Sequence, residues 1–290
     1  MSNTSGAVGS FLDVEGTLTH VIDRGQGPSI VLLHGASFGT DAQSTWMYQI
    51  EELAAHHRVI AIDQLGFGYT GLASGGRYLN RMERAPHVLA TLRKLGISDV
   101  TLVGHSEGSF TATYIALQNP ELVSRLILLT TGGTAPRFHD ERDEPWKEAS
   151  RRLYDYETGE PSEEQYLRGV KRLLRRWDKR LEEEFKRAYA RAVEIGQYQM
   201  FSGAPPEELD YDLYTRLQET HIHPFLKSLG VPTLLIWSRE DATVPVSRGL
   251  LLYDMIPHAD MAILDGTAHA LMLDRPDSVN QLILSWRPPD

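Results

Sequence analysis

The sequence predicts an α/β protein, a mostly parallel sheet of about eight strands flanked by helices, with a helical insertion late in the chain. Short β-rich runs alternate with helix-patterned stretches over most of its length. The runs are apolar throughout, as expected of strands that helices cover on both faces. Glycine, proline and asparagine punctuate the boundaries.

Taken in order, Phe11 to Val14 and Leu18 to Asp23 read as an opening hairpin region, and Gly25-Gln26-Gly27-Pro28 turns the chain into a strand from Ile30 to His34. A helix is expected from Trp46 to Ala55, then a strand from Val59 to Asp63. Met82, Val88, Leu89, Leu92 and Leu95 give a helical spacing that stops at Gly96, a good C-terminal cap. Val100 to Val103 is the next strand. The helix after Ser106 ends at Asn119-Pro120, and strands follow at Arg125 to Thr131, Thr233 to Trp237 and Met261 to Leu264. Between Thr131 and Pro232 no strand pattern occurs. There Ser162-Glu163-Glu164-Gln165 is a capping box, and apolar residues from Tyr166 to Ala192 recur at three- and four-residue steps. Asp178 is placed to cap a second helix if the first breaks. The organisation expected is a core from 1–134 and 226–290, with 135–225 as a helical lid whose apolar stripe covers the sheet rim.

Composition narrows the chemistry. The 290 residues carry 29 basic and 39 acidic side chains, a net charge of −10, which disfavours nucleic acid or an anionic membrane as partner. With no cysteine, thiolate catalysis, disulfides and cysteine-ligated metals are excluded. That usage, and a polar start from Met1 to Ser10 without an export signal, fit the cytoplasm. The apolar runs are shorter than the roughly 20 residues of a membrane span. A small-molecule substrate remains, and the sequence does not set the oligomeric state, so a homo-oligomer stays open.

Gly104-His105-Ser106-Glu107-Gly108 matches G-x-S-x-G directly after a strand and before a helix-compatible stretch. That context marks a nucleophile elbow, where a sharp turn lifts a serine hydroxyl above the sheet. A serine needs a base and an acid to orient that base. Asp241, in Ser238-Arg239-Glu240-Asp241, follows a strand and is preferred to Glu240 as the acid. His269, in the loop after the last strand, is the base among 11 histidines. The order Ser, Asp, His is the one this kind of elbow uses. Oxyanion donors are expected from the backbone N–H of Glu107 and of Ala36, with Gly35 allowing close approach and His34 bracing the loop. The Glu107 side chain is expected to point away from the site. Gly66-Phe67-Gly68-Tyr69-Thr70-Gly71 satisfies a dinucleotide pattern, but no helix pattern follows it, so no nucleotide cofactor is expected. His221 and His223 lack a third ligand nearby, so no metal is expected.

With these residues in place, the sequence resembles the α/β-hydrolase superfamily from His34-Gly35 to His269. The runs Arg58 to Gly68 and Leu235 to Asp241 are similar to the meta-cleavage-product hydrolases, which cleave a carbon–carbon bond in dienoate ring-fission products. The resemblance implies the triad Ser106, Asp241 and His269, the donors Ala36 and Glu107, and a helical lid with an arginine near Arg187 or Arg191. Members of that branch usually carry Gly-Pro-Gly in the oxyanion loop, asparagine before the nucleophile and tryptophan after the histidine. This chain has Ser37-Phe38-Gly39, His105 and Ala270. Substrate contacts are expected from Gly35, Ser37, Phe38, His105 and Arg187. The expected activity is hydrolysis of a small, mostly apolar ester or lactone. Carbon–carbon cleavage of a diketone or dienoate is the alternative, and a non-catalytic receptor on the same fold is a third.

Overall fold

Strand β3 (Ser29–Leu33) shows why these runs read as apolar throughout: Ile30 and Leu32 face one hydrophobic core, Val31 and Leu33 the other, and all four are fully buried. Period-two alternation persists, but both sides are covered. The computed structural model describes residues 8–153, 159–205 and 211–287. Residues 1–7, which bear on the export-signal expectation, lie outside these, as do parts of the predicted lid.

The sheet has eight strands. In chain order they are β1 (Ser10–Val14), β2 (Thr17–Arg24), β3, β4 (Arg58–Ile62), β5 (Val100–His105), β6 (Val123–Leu129), β7 (Thr233–Ser238) and β8 (Asp260–Leu264). In space the order is β1-β2-β4-β3-β5-β6-β7-β8. β1 and β2 pair antiparallel, β2 pairs antiparallel with β4, and every pair from β4 onward is parallel. Parallel order aligns the carboxyl ends of β3, β5, β7 and β8 on one edge, where the loops of interest emerge.

Helices α1 (Ala42–Trp46) and α2 (Ile50–Ala54) contribute Trp46 and Leu53 to the first core. Helices α3 (Arg81–Lys94) and α4 (Gly108–Gln118) contribute Val88, Leu92, Phe110 and Ile115 to the second. α3 opens with a capping box between Asn80 and Glu83, and Gly96 follows its end with φ of 69°.

Two departures from the expected boundaries have a visible local cause. The single helix predicted over Trp46 to Ala55 is two short ones, and the first starts early because the Asp41 carboxylate accepts from the Ser44 N–H at 2.7 Å. Gln49 stands at the break, donating through Nε2 to the Met272 carbonyl at 3.0 Å. β6 ends at Leu129, not Thr131, because Thr130 turns the chain with φ of 37°.

Between β6 and β7 lie α5 (Glu144–Leu153), α6 (Glu163–Lys171), α7 (Lys179–Glu194), α8 (Gln197–Ser202) and α9 (Tyr211–His221). The apolar stripe does break: Ser162 and Gln165 cap α6, and Asp178 caps α7 through the Leu181 N–H at 2.9 Å. Tyr166, Leu174, Leu181 and Phe185 join the same core as the sheet's first face, so the stripe packs beyond its own helices. After β7 come α10 (Val246–Met255), α11 (Leu271–Asp274) and α12 (Pro276–Ser285). No helix among the described residues is long and apolar enough to cross a membrane.

Candidate active site

Ser106 has φ of 51°, a left-handed backbone that a non-glycine residue adopts only under constraint. The constraint is the turn from β5 into α4. A side-chain carbon on Gly104 would lie 2.6 Å from Ser109 Cα, and one on Gly108 would lie 2.3 Å from the His34 carbonyl oxygen. Only glycine fits at either position, which is the physical content of the motif. The Gly133 N–H donates to the Ser106 carbonyl at 3.0 Å and the Ser106 N–H donates to Leu129 at 3.1 Å, holding the strained residue from both sides.

The Ser106 hydroxyl donates to His269 Nε2 at 3.0 Å, and His269 Nδ1 donates to Asp241 Oδ2 at 2.8 Å. Asp241 Oδ1 accepts from the N–H groups of Thr243 and Val244 at 2.7 and 2.9 Å, so its carboxylate is fixed in the turn after β7. The His269 carbonyl accepts from Thr130 Oγ1 at 2.7 Å and from His105 Nε2 at 3.1 Å. His269 is thus held at its ring and at its backbone. Such a row can draw the proton from a serine hydroxyl and stabilise the imidazolium that forms. Glu240 stands outside it, exposed and accepting from the Gly266 N–H at 3.3 Å.

Ser106 and His269 open into a cavity of roughly 90 Å³. One wall is the loop after β3, with Gly35, Ala36, Ser37, Phe38 and Thr40, joined by Ser44 and Thr45 of α1. Opposite stand Tyr166, Val170, Leu173, Leu174 and Phe185, and His105, Ala270, Met272 and Leu273 complete the lining. Burial raises the Tyr166 phenol above its ordinary pKa, and its hydroxyl donates to the Gly39 carbonyl at 3.0 Å.

Four of the five expected contact residues, Gly35, Ser37, Phe38 and His105, line this cavity; the fifth, Arg187, does not. Its guanidinium is held by Asp41 Oδ2 and Glu184 Oε1, both at 2.6 Å, at a different surface hollow. Two carboxylates outcompete any cavity-facing pose. Arg191 is likewise turned away, its Nη1 2.9 Å from Glu194 Oε2 and its Nε donating to the Gly68 carbonyl at 3.2 Å. Ala36 lines the cavity, and a side-chain carbon on neighbouring Gly35 would lie 3.1 Å from Ser106 Cβ. The Glu107 side chain is absent from the cavity lining, as expected, but it is no solvated helix-start residue: it is buried in an ion pair with Arg84.

His34 is fully buried, and burial lowers its pKa. Its Nδ1 donates to the Gly35 carbonyl at 2.6 Å and its Nε2 accepts the Gln64 N–H at 3.0 Å, so the ring braces the loop from behind. The glycine-rich run at Gly66 folds back on itself, the Gly66 N–H donating to Gly71 at 2.7 Å, and is followed by a single 3-10 turn over Ser74–Gly76. His223 donates from Nε2 to the Thr134 carbonyl at 2.9 Å, and the described residues hold no cluster of three or more metal-binding side chains.

Sequence reasoning did not single out Thr40, Ser44 and Thr45, whose hydroxyls carry no spacing signal. It also passed over Asp274, whose Oδ1 accepts from the N–H groups of Arg175 and Arg176 at 2.7 and 2.8 Å while Oδ2 accepts from Ala268 at 2.7 Å. No local pattern announces such a bridge.

The elbow, the aligned strand ends and the sheet order define an α/β-hydrolase, and comparison with known proteins agrees. The family model described as "alpha/beta hydrolase fold" matches residues 28–276, so the chain belongs to that family. Among curated relatives, the 2-hydroxymuconate semialdehyde hydrolase of Pseudomonas sp. (strain CF600) is 28% identical, over 90% of this chain and 87% of its own. The 2-hydroxy-6-oxo-6-(2'-aminophenyl)hexa-2,4-dienoic acid hydrolase of Metapseudomonas resinovorans is 24% identical, over 97% and 91%. Among solved structures, the meta-cleavage product hydrolase CumD of Pseudomonas fluorescens IP01 superposes with a TM-score of 0.80 at 25% identity, covering 96% of each chain. The chain is a hydrolase, and meta-cleavage product hydrolases are among its relatives.

Proposed function

We propose that this hydrolase breaks a carbon–carbon bond beside a ketone, with Ser106 as nucleophile, His269 as base and then acid, and Asp241 as the anchor of His269. Backbone N–H groups of Ala36 and Glu107 serve as oxyanion donors. The observation that carries the reading is the hydrogen-bonded row from Ser106 through His269 to Asp241 at the floor of an apolar cavity. The substrates in the relatives' names supply the bond type. A semialdehyde or a 2-hydroxy-6-oxo dienoic acid contains no ester, amide or anhydride, so its hydrolysis must divide a carbon skeleton. On that chemistry carbon–carbon cleavage is the better supported reading, and the ester or lactone expected from the sequence becomes the second.

Carbon leaves only if it can hold an electron pair. Moving the enol proton onto carbon therefore comes first, which sets the scissile bond between two electron-withdrawing carbonyl systems. Ser106 Oγ then attacks the ketone carbon as its proton passes to His269 Nε2. The tetrahedral oxyanion rests on the Ala36 and Glu107 N–H groups. Collapse expels the delocalised carbon, which takes its proton from His269. Water, deprotonated by His269, then releases the acyl group from Ser106 as a carboxylic acid. Residues 135–225 act as a lid that keeps water out until the acyl stage.

The test is a comparison of kcat/KM for a vinylogous diketone and for a matched ester and lactone. The reading expects the diketone to lead by at least about tenfold. A lead for the ester or lactone would move the second reading to the front, and the small apolar cavity is the observation in its favour.

A further inference from the structure

His105 stands immediately before Ser106 and lines the cavity, and its wiring bears on which substrates the site accepts. Its Nε2 lies 3.1 Å from the His269 carbonyl oxygen, which can only accept, so Nε2 carries the ring proton. Nδ1 is then a bare lone pair. It lies 3.6 Å from where a side-chain carbon on Gly35 would sit, and that carbon would be 3.1 Å from Ser106 Cβ, so the lone pair faces the Gly35 wall next to Ser106. Burial first, and then the neighbouring His269, hold the His105 pKa well below the ordinary histidine value. The ring therefore stays neutral, an acceptor in the cavity wall rather than a cation.

The rest of the lining agrees. Among the described residues the cavity is bordered by hydroxyls, carbon and the imidazoles of His105 and His269, with no lysine or arginine. Among the described residues, three arginines of the surrounding elements are committed elsewhere: Arg187 to Asp41 and Glu184, Arg191 to Glu194, Arg84 to Glu107. A carboxylate brought into this space would leave water and meet a lone pair instead of a positive partner. A hydroxyl would meet an acceptor.

We propose that the site takes an uncharged substrate that presents a hydroxyl, or its enol O–H before that proton moves to carbon, to His105 Nδ1, with His105 as the residue that sets this preference. The inference rests on the hydrolase reading of the same site and narrows its substrate class. It separates this chain from its Metapseudomonas relative, which is named for a carboxylic acid.

The experiment uses the Ser106→Ala chain, which holds ligands without turning them over. It is titrated calorimetrically near neutral pH with a 2-hydroxy-6-oxo dienoate, with its carboxamide counterpart, and with the carboxamide lacking the 2-hydroxyl. The carboxamide is expected to bind at least about tenfold tighter than the carboxylate, and removal of the hydroxyl to cost about tenfold. Adding His105→Asn is expected to shrink both differences, since an amide can turn a donor toward an anion. Equal or tighter binding of the carboxylate, indifference to the hydroxyl, or no binding of either dienoic compound overturns the proposal. The ligand comparison needs no change at His105, so it decides the matter even where the His105→Asn chain does not fold. Failure of the hydrolase reading has a different signature: wild type would bind the carboxamide tightly and leave it uncleaved.

Discussion

Glu107 is the nearest carboxylate to Ser106 in sequence, and the fold turns its charge away. Its partner Arg84 is buried as deeply, with the guanidinium carbon 5.2 Å from the centre of the Phe67 ring. Two charges out of water are tolerable only together, so removing one leaves the other stranded. Glu107→Gln is expected to cost about 3–5 kcal/mol in urea unfolding, while kcat of the folded enzyme changes less than about tenfold. A large kcat loss with intact stability would instead give the side chain a part in the reaction. Asp241 makes the opposite prediction. Asp241→Asn keeps the volume but favours the wrong tautomer of His269, so kcat should fall by about 10⁴ with little change in the unfolding midpoint. That Ser106, Asp241 and His269 would come together was readable in the sequence because each follows a strand in a fixed chain order. The partners of Glu107 and Arg187 were not, since charge pairing across the fold leaves no trace in local spacing.

The loop between α6 and α7 is tied to the histidine loop by three backbone N–H groups on the Asp274 carboxylate and by the Ala270 N–H, which donates to the Leu173 carbonyl at 3.0 Å. Leu173 lines the cavity and Ala268 and Ala270 flank His269, so a shift of these helices moves His269. Asp274→Ala is therefore expected to lower kcat/KM by about 10–100-fold, since catalytic groups displaced by an ångström lose that much. Steady-state kinetics would check it, and unchanged kcat/KM in a folded variant would uncouple the two loops. The helices themselves were legible: Ser162 and Asp178 announce their starts, and the stripe from Tyr166 onward gives the buried face. What they cover was less so, because an amphipathic pattern reports that a face is buried and not against what. The early start of α1 had a signal, Asp41 ahead of Ser44, that the apolar spacing from Trp46 onward obscured.

At the scale of the molecule, the sheet was legible because two-sided burial makes its parallel strands uniformly apolar, whereas strand ends slipped where single residues such as Thr130 turn the chain. The histidines at its carboxyl edge give the fold an acid limit. Burial lowers the pKa of His34 and of His105, so both stay neutral when folded and take up protons only when unfolded below the ordinary value of 6.5. The unfolded chain then binds more protons than the native one, and stability rises with pH through this range. It should be whole above about pH 7 and fall by up to about 1.4 kcal/mol per pH unit per histidine below the ordinary histidine pKa. Asp63 adds in the same direction at lower pH, because despite its burial the hydrogen bond from His20 Nδ1 holds its carboxyl below the usual value. Urea midpoints measured across this range would reveal the slope, and a flat profile would contradict neutral burial. The central claim, that Ser106 performs the chemistry, is tested most directly by following a vinylogous diketone with wild type and Ser106→Ala and quantifying the carboxylic acid released. The account predicts acid from wild type and a loss of at least about 10³-fold in the folded variant; cleavage that survives the substitution would contradict it.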